Sequence, residues 1–198
     1  MNIKNVKVTE VGPRDGFQSE KTILKTEDKI SIINELIDAG FPRIEVSSFV
    51  SPKAIPQLAD AEIILSKVKR SPNTTLAALV PNARGAIRAV EANIDEIVVF
   101  LSASESHNKK NVNRNVDESL IEFREIADIA GKNNIPIQGD IATAFGCPFE
   151  GNISSNKLVD ISKEYKQMGF KGVTLGDTTG MATPLVVTEA INAIRENV

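Results

Sequence analysis

Apolar runs and helix-like repeats alternate along the whole chain, and six of the apolar runs have the length and composition of buried strands. Strands are predicted at residues 6–11, 43–48, 75–80, 96–101, 135–142 and 171–175. Helices with apolar residues at three- and four-residue spacing are predicted at residues 27–39, 61–69, 82–92, 117–132, 155–168 and 183–197. This strand–helix repetition predicts an α/β fold with a parallel sheet and right-handed crossovers.

Short polar residues and glycines mark the predicted helix ends. Thr26, Asn82 and Thr183 stand where an N-cap side chain is needed. Gly40 and Gly169 follow the last apolar residue of their helices and predict the stop. The helix boundaries therefore agree with the hydrophobic pattern.

The six strand–helix units form a single predicted domain over residues 1–198, because no linker or shift in composition interrupts them. Two architectures fit such a series. A doubly wound open sheet needs five or six strands, whereas a (β/α)₈ barrel needs eight and typically about 250 residues. Length alone favours the open sheet.

Composition and charge exclude several classes of function. The net charge of −3 argues against nucleic acid as the main partner. No apolar run approaches the 18 or so residues of a membrane span. The single cysteine, Cys147, cannot form an internal disulfide and suits a reducing cytoplasm.

Charged residues cluster where the predicted strands end. Arg14 and Asp15 follow the first strand, Glu45 interrupts the second, and Asp177 follows the sixth. The carboxyl ends of parallel strands share one face, so we expect these side chains to converge there. A buried carboxylate needs a partner, and Arg14 is the expected partner of Glu45. Acids grouped in this way suit a hard divalent cation.

Structural roles compete with these functional interpretations. Arg14 and Asp15 would also make an ordinary loop ion pair, and Asp177 would also cap a turn. Cys147, between glycine and proline, is more typical of inert packing than of a nucleophile. His107 stands among serine, asparagine and lysine, which predicts a solvated loop.

Several segments together resemble the hydroxymethylglutaryl-CoA lyase family, a branch of the metal-dependent lyases built on the TIM barrel. They are VGPRDGFQ at residues 11–18, Glu45, SFVSPK at 48–53, GCPFEG at 146–151 and GDTTG at 176–180. The resemblance runs over almost the whole chain. It implies a TIM (β/α)₈-barrel fold of which about six βα units are present.

The resemblance also implies roles for individual residues. Asp15 would be a ligand of Mg²⁺ or Mn²⁺, Arg14 would bind substrate and stabilise an enolate, and Glu45 would orient Arg14. Asp177 would support the metal or the proton-transfer group. The residues implied to contact an acyl-CoA substrate are Arg14, Gln18, Ser48 and Thr178.

Some of the family's functional residues have no counterpart in this sequence. A His-x-His pair of metal ligands, an asparagine ligand and a catalytic cysteine loop are missing, and Cys147 matches a different position. The resemblance therefore implies a lyase for 3-hydroxy-3-methylglutaryl-CoA or a longer homologue, with little activity in these 198 residues alone. Two alternatives are a non-catalytic partial barrel and a condensing acyltransferase of the same superfamily, which Phe17 disfavours. Uncovered sheet edges predict self-association or a homodimer.

Overall fold

The computed structural model describes residues 6–198, and this part of the chain contains six strands and eight α-helices that alternate as the pattern predicts. The strands are β1 (Thr9–Glu10), β2 (Arg43–Ser48), β3 (Thr75–Leu79), β4 (Glu96–Ser102), β5 (Ile137–Ala142) and β6 (Gly172–Leu175). The helices are α1 (Phe17–Ser19), α2 (Thr26–Asp38), α3 (Ala61–Lys67), α4 (Ala83–Glu91), α5 (Glu105–Val112), α6 (Val116–Lys132), α7 (Ser155–Gln167) and α8 (Pro184–Asn197). A π-helical turn, Gly12–Gly16, precedes α1, and a 3₁₀ turn, Pro56–Leu58, precedes α3. The strands lie in the sheet in sequence order, which confirms the α/β prediction.

The chain divides into two compact units. The first runs to Ile97 and includes Asn133–Ile135, and the second comprises Val98–Lys132 and Pro136–Val198. In the first unit β2 pairs in parallel with both β1 and β3, and its register shifts between Glu45 and Ser47. In the second unit β5 pairs in parallel with β6. Parallel pairing places the ends of neighbouring strands side by side within each unit.

Strand β2 is buried on both faces, as the nearly continuous apolar pattern of a parallel strand predicts. Ile44 and Val46 have no exposed surface, and helix α2 turns Ile33 and Ile37 inward. Burial of aliphatic side chains of this size contributes about 1.5–3 kcal/mol each. The carboxylate of Glu45 lies in the same strand, in an environment that is unfavourable for an unpaired charge.

In the second unit, aromatic side chains gather around the only tyrosine. The Tyr165 ring stacks on Phe170 with 4.9 Å between centroids and tilts against Phe123 at 6.1 Å. A Cβ atom at Gly139 would lie 2.3 Å from the Tyr165 ring, so a larger residue there would require the ring to shift. Burial, together with the charge of Asp140, raises the pKa of Tyr165 well above its usual value. The phenol therefore stays protonated and donates to the Asp140 carbonyl.

Most predicted helix ends are confirmed, with one exception. Asn82 caps α4 by accepting from the Gly85 amide, and Thr183 caps α8 by accepting from the Val186 amide. Thr26, however, is not a cap, because its hydroxyl donates to Asp60 at 2.8 Å and Lys25 occupies the N-cap position. Gly40 and Gly169 end their helices with φ of 82° and 79°, in the left-handed region that favours glycine.

Two predicted elements differ from the observed ones. The first strand is only two residues long, and Val6 and Val8 before it are 80% and 59% exposed. Alternation of valines without burial gives little reason to form a strand. The segment that the sequence assigned to a loop around His107 is instead the helix α5. Among residues 6–198, no helix is long and apolar enough to cross a bilayer.

Candidate active site

A chain of three charged side chains connects β2 with the π-helical turn that follows β1 in the first unit. Arg14 Nε donates to Glu45 Oε1 at 2.6 Å, and Arg14 Nη1 donates to Asp15 Oδ1 at 2.6 Å. The predicted pairing of Glu45 with Arg14 is thereby confirmed. The ion pair between Arg14 and Asp15 is also present, and both carboxylates bind the same guanidinium.

The π-helical turn sets the position of Arg14. The amides of Arg14 and Asp15 both donate to the Val11 carbonyl, at 3.0 and 2.7 Å. Pro13 stands at the start of this turn, where its missing N–H is not needed, and is buried. Single π turns often occur at functional sites.

Exposure decreases along this chain of charges from Asp15 to Glu45. The side chain of Asp15 is 59% exposed, that of Arg14 18% and that of Glu45 3%. The buried carboxylate of Glu45 therefore holds the inner side of the Arg14 guanidinium, and the exposed carboxylate of Asp15 contacts the guanidinium near solvent. Two of the five guanidinium N–H donors meet these acids, and an anion can approach Arg14 from the solvent side.

In the second unit, the loop after β6 is closed by its own side chains. Asp177 Oδ1 accepts from the amides of Met181 and Ala182, at 2.9 and 3.1 Å. Thr178 Oγ1 accepts from the Thr143 amide at 2.9 Å and so joins this loop to the end of β5. Asp177 thus forms the turn cap that was considered for it, and its role at a catalytic site stays a prediction.

Helix α5 carries a cluster of hydrogen-bonded polar side chains in the second unit. His107 Nδ1 lies 2.7 Å from Ser102 Oγ, and Ser104 caps the helix by accepting from the His107 amide. The buried Asn108 side chain accepts from the Ser102 amide and donates to three oxygens in the segment 114–119. The expectation of a solvated loop at His107 is wrong, because these side-chain bonds replace the apolar face that usually identifies a helix.

The turn after β5 contains Cys147, which is completely buried and unpaired. Cys147 and Gly151 exchange two backbone hydrogen bonds, at 2.8 and 2.7 Å. Burial raises the pKa of the Cys147 thiol, but hydrogen bonds from Ser104 and from the amides of Phe149 and Glu150 outweigh it, so that the net pKa is lowered.

Glu150, in the same turn, is held against the first turn of α5. Its Oε1 accepts from the Ser106 amide at 2.6 Å. This bond, with smaller contributions from the hydroxyls of Ser106 and Ser104 and from Lys157, lowers the Glu150 pKa although partial burial opposes it. A carboxylate at a helix N-terminus is stabilised in this way. The GCPFEG segment, residues 146–151, therefore helps to position α5 through this contact of Glu150 with the Ser106 amide.

The remaining predicted substrate contacts differ in accessibility. Gln18 is half-buried in α1. Ser48 is 1% exposed, and its hydroxyl donates to the Leu79 carbonyl at 3.2 Å. Thr178 has the loop contact described above. Contact of these side chains with substrate stays a prediction.

Asp15 alone does not make a site for a divalent cation. One of its oxygens is paired with Arg14, and no group of three His, Cys, Asp or Glu side chains suited to a metal occurs within residues 6–198. Mg²⁺ and Mn²⁺ require about six oxygen or nitrogen ligands in defined geometry. The described residues therefore do not fit a tightly held metal, and any such ion needs further ligands.

Sequence reasoning missed the contacts that support these loops. Lys29, 1% exposed, donates to both oxygens of Asp60 and to the Gln57 carbonyl. Arg88 on α4 pairs with Glu62 and reaches the segment after β2. The signal for Lys29 was a charge on the inward face of an otherwise apolar helix, whereas Arg88 gave none.

Parallel βα units whose polar side chains lie at strand ends and in the loops that follow are typical of (β/α)₈-barrel enzymes. A family model described as HMGL-like matches residues 5–198, and the chain belongs to this family. The family resemblance inferred from the sequence motifs is thereby confirmed.

Relatives and solved structures agree with this assignment. Mitochondrial hydroxymethylglutaryl-CoA lyase of Macaca fascicularis is 42% identical over 98% of this chain, and YngG of Bacillus subtilis is 42% identical over 96%. The chain spans 60% and 64% of these two relatives, respectively. A cytoplasmic lyase of Rattus norvegicus is 44% identical over 90% of this chain and 52% of its own length.

The structural comparison shows a partial TIM barrel. The Bacillus subtilis lyase has a TM-score of 0.95 at 41% identity, covering 98% of this chain and 65% of the other. A lyase of Acinetobacter baumannii, solved with coenzyme A and 3-methylmalate, has a TM-score of 0.91 at 43% identity, covering 96% and 62%. The length argument for an open sheet is therefore wrong, because the chain corresponds to only part of a barrel.

Proposed function

We propose that the protein acts as a carbon–carbon lyase on 3-hydroxy-3-methylglutaryl-CoA or a close 3-hydroxy-3-alkylglutaryl-CoA. The products would be acetyl-CoA and a 3-oxoacid such as acetoacetate. The observation that carries this proposal is the Glu45–Arg14–Asp15 chain, in a protein whose relatives are named as lyases for this thioester. The Acinetobacter baumannii relative, which binds coenzyme A, supports an acyl-CoA substrate.

In the proposed reaction one proton leaves the substrate and one proton is added to the product. A base removes the proton of the C3 hydroxyl, and the C2–C3 bond breaks as C3 becomes a carbonyl. The electron pair of that bond passes to the thioester as an enolate, which a proton converts to acetyl-CoA. The step that needs most help is formation of the enolate, because negative charge develops on one oxygen.

Arg14 is suited to bind that oxygen or a substrate carboxylate. Its guanidinium is held at Nε by Glu45 at 2.6 Å, so it does not have to be ordered when charge develops. Asp15 at Nη1 sets the rotation of the same plane. The acids therefore position the cation, and Arg14 supplies the electrostatic stabilisation.

The test uses a fusion in which these 198 residues replace the matching part of the Bacillus subtilis relative. Acetyl-CoA release from 3-hydroxy-3-methylglutaryl-CoA is expected, and Arg14→Gln should lower kcat/KM about 10²–10³-fold. Arg84→Gln, at an exposed arginine of α4, is the matched control and should leave turnover unchanged. A folded fusion without activity, or with full activity after Arg14→Gln, would contradict the proposal.

The 198 residues alone should turn over this thioester far more slowly than the fusion, because they lack a complete metal site. Equal rates would show that the site is complete without additional ligands. Binding without turnover by the chain, and inactivity of a folded fusion, would favour the non-catalytic partial barrel instead.

The buried, unpaired Cys147 supports a reducing compartment such as the cytoplasm.

A further inference from the structure

The segment at the end of β2, residues 48–53, carries the SFVSPK motif and is held mainly by backbone groups. The Phe49 amide donates to the Leu79 carbonyl at 2.8 Å, and the amides of Ala54 and Ile55 donate to the Ser51 carbonyl. Phe49 itself is 1% exposed. The segment starts three residues beyond Glu45, at the carboxyl end of the strand that carries this partner of Arg14.

Helix α4 approaches this segment closely at Gly85. A Cβ atom there would lie 2.9 Å from the Phe49 carbonyl oxygen, closer than real side chains come. Gly85 also donates its amide to the cap residue Asn82, which fixes the start of the helix. The close approach brings the next turn of α4, and with it Arg88, up to the Phe49–Val50 backbone.

The guanidinium of Arg88 makes three kinds of contact here. Its Nη1 donates to the carbonyls of Phe49 and Val50, at 3.4 and 3.3 Å. Its guanidinium carbon lies 5.5 Å from the centroid of the Phe49 ring. Its Nε donates to Glu62 at 2.6 Å, which holds the guanidinium plane in place.

One donor that bonds two consecutive carbonyls fixes the orientation of both peptide groups. We propose that Arg88 is a positioning residue that sets the conformation of residues 49–53 and thereby the shape of the substrate site beside Glu45. This inference rests on the proposed function for the identity of the substrate. Small displacements of a positioning loop are costly, because about 1 Å of misplacement reduces catalysis by about 10²-fold.

The side chain of Arg88 also has a structural role, which the test must separate from positioning. Lysine at this position keeps the ion pair with Glu62, but it cannot present a planar group to two carbonyls and a ring. Arg88→Lys therefore retains the structural link and loses the positioning, whereas Arg88→Gln loses both. Arg84→Gln, one turn earlier on the exposed surface of α4, is the matched control.

The experiment measures amide hydrogen exchange in a peptide covering residues 48–55 of the 198-residue chain, together with the melting temperature of each variant. In both Arg88 variants the exchange of the Ala54 and Ile55 amides should be about tenfold faster, the effect of losing one charge-assisted hydrogen bond. Arg84→Gln should exchange like the wild type. Exchange at the wild-type rate in Arg88→Lys would overturn the inference, even if Arg88→Gln fails to fold.

A second measurement tests the link to substrate. In the active fusion, Arg88→Lys should raise KM for 3-hydroxy-3-methylglutaryl-CoA or lower kcat about tenfold or more at unchanged melting temperature. Unchanged kinetics with a loosened loop would overturn the link. Inactivity of the unmodified fusion would contradict the proposed function instead, and the exchange measurement would still decide whether Arg88 positions the loop.

Discussion

Replacing Arg14 by methionine leaves the carboxylate of Glu45 buried in β2 without its cation. The side chain of Glu45 is 3% exposed, so water cannot replace the bond to Arg14 Nε without local opening of the structure. Breaking a buried ion pair by removing one partner costs about 3–5 kcal/mol. Arg14 is 18% exposed, which allows some hydration, and we therefore expect a loss of about 3 kcal/mol in the free energy of unfolding.

Removing the charge of Glu45 instead of that of Arg14 should lower the free energy of unfolding by less. Glu45→Gln leaves Arg14 next to Asp15 and near solvent, and an amide can still accept from Nε. We expect a loss of about 1 kcal/mol, the value of one ordinary hydrogen bond. In the double variant Arg14→Met/Glu45→Gln no buried charge is left unpaired, so it should be more stable than Arg14→Met alone.

Urea unfolding followed by circular dichroism at neutral pH measures these differences. The matched control is Lys69→Met, which removes an exposed ion pair with Asp38 and should cost less than about 1 kcal/mol. If Arg14→Met costs no more than Lys69→Met, or if the double variant loses the sum of both single losses, the carboxylate of Glu45 does not depend on Arg14 and the reasoning fails.

Three further predictions concern other parts of the molecule. The Glu150 pKa is lowered from 4.5 by the Ser106 amide, so its stabilising effect is complete above that value and is lost as the pH falls through the lowered one. Glu150→Gln should remove less than about 1 kcal/mol at neutral pH and flatten the acid limb of a stability profile, because the residue is exposed. Calorimetry should find only weak binding of Mg²⁺ or Mn²⁺ to the 198 residues, since Asp15 supplies one carboxylate, and tight stoichiometric binding would contradict this. Gly139→Ala should lower the free energy of unfolding by about 1–3 kcal/mol through collision with Tyr165, and a neutral effect in urea unfolding would show that the ring can move away.

The sequence allowed the pairing of Glu45 with Arg14 to be predicted, because a carboxylate in an apolar strand needs a cation and few are in reach. It also predicted the caps at Asn82 and Thr183, where local side-chain chemistry decides the structure. Helix α5 was missed because its sequence, ESHNKKNV, has no apolar face. That helix depends on Ser104 and Asn108, whose hydrogen bonds reach residues that periodicity does not connect.

Length misled the choice of architecture for a different reason. A series of six βα units is common to open sheets and partial barrels, and strand curvature is not encoded in hydrophobic spacing. The resemblance of the sequence motifs to a known family decided between the two architectures. The motif residues are informative because the resemblance places them at a functional site. The convergence of Asp177 with Arg14, Asp15 and Glu45 stays a prediction, as do the contacts of Gln18, Ser48 and Thr178 with substrate.

The placement of the two least common side chains determines how unfolding of this protein can be observed. The chain has one cysteine, one tyrosine and no tryptophan, and both Cys147 and Tyr165 are fully buried in the second unit. Thiol labelling and intrinsic fluorescence therefore report the opening of that unit alone. An event confined to the Arg14 site would be silent to both probes, so a tryptophan placed in the first unit is needed to time it.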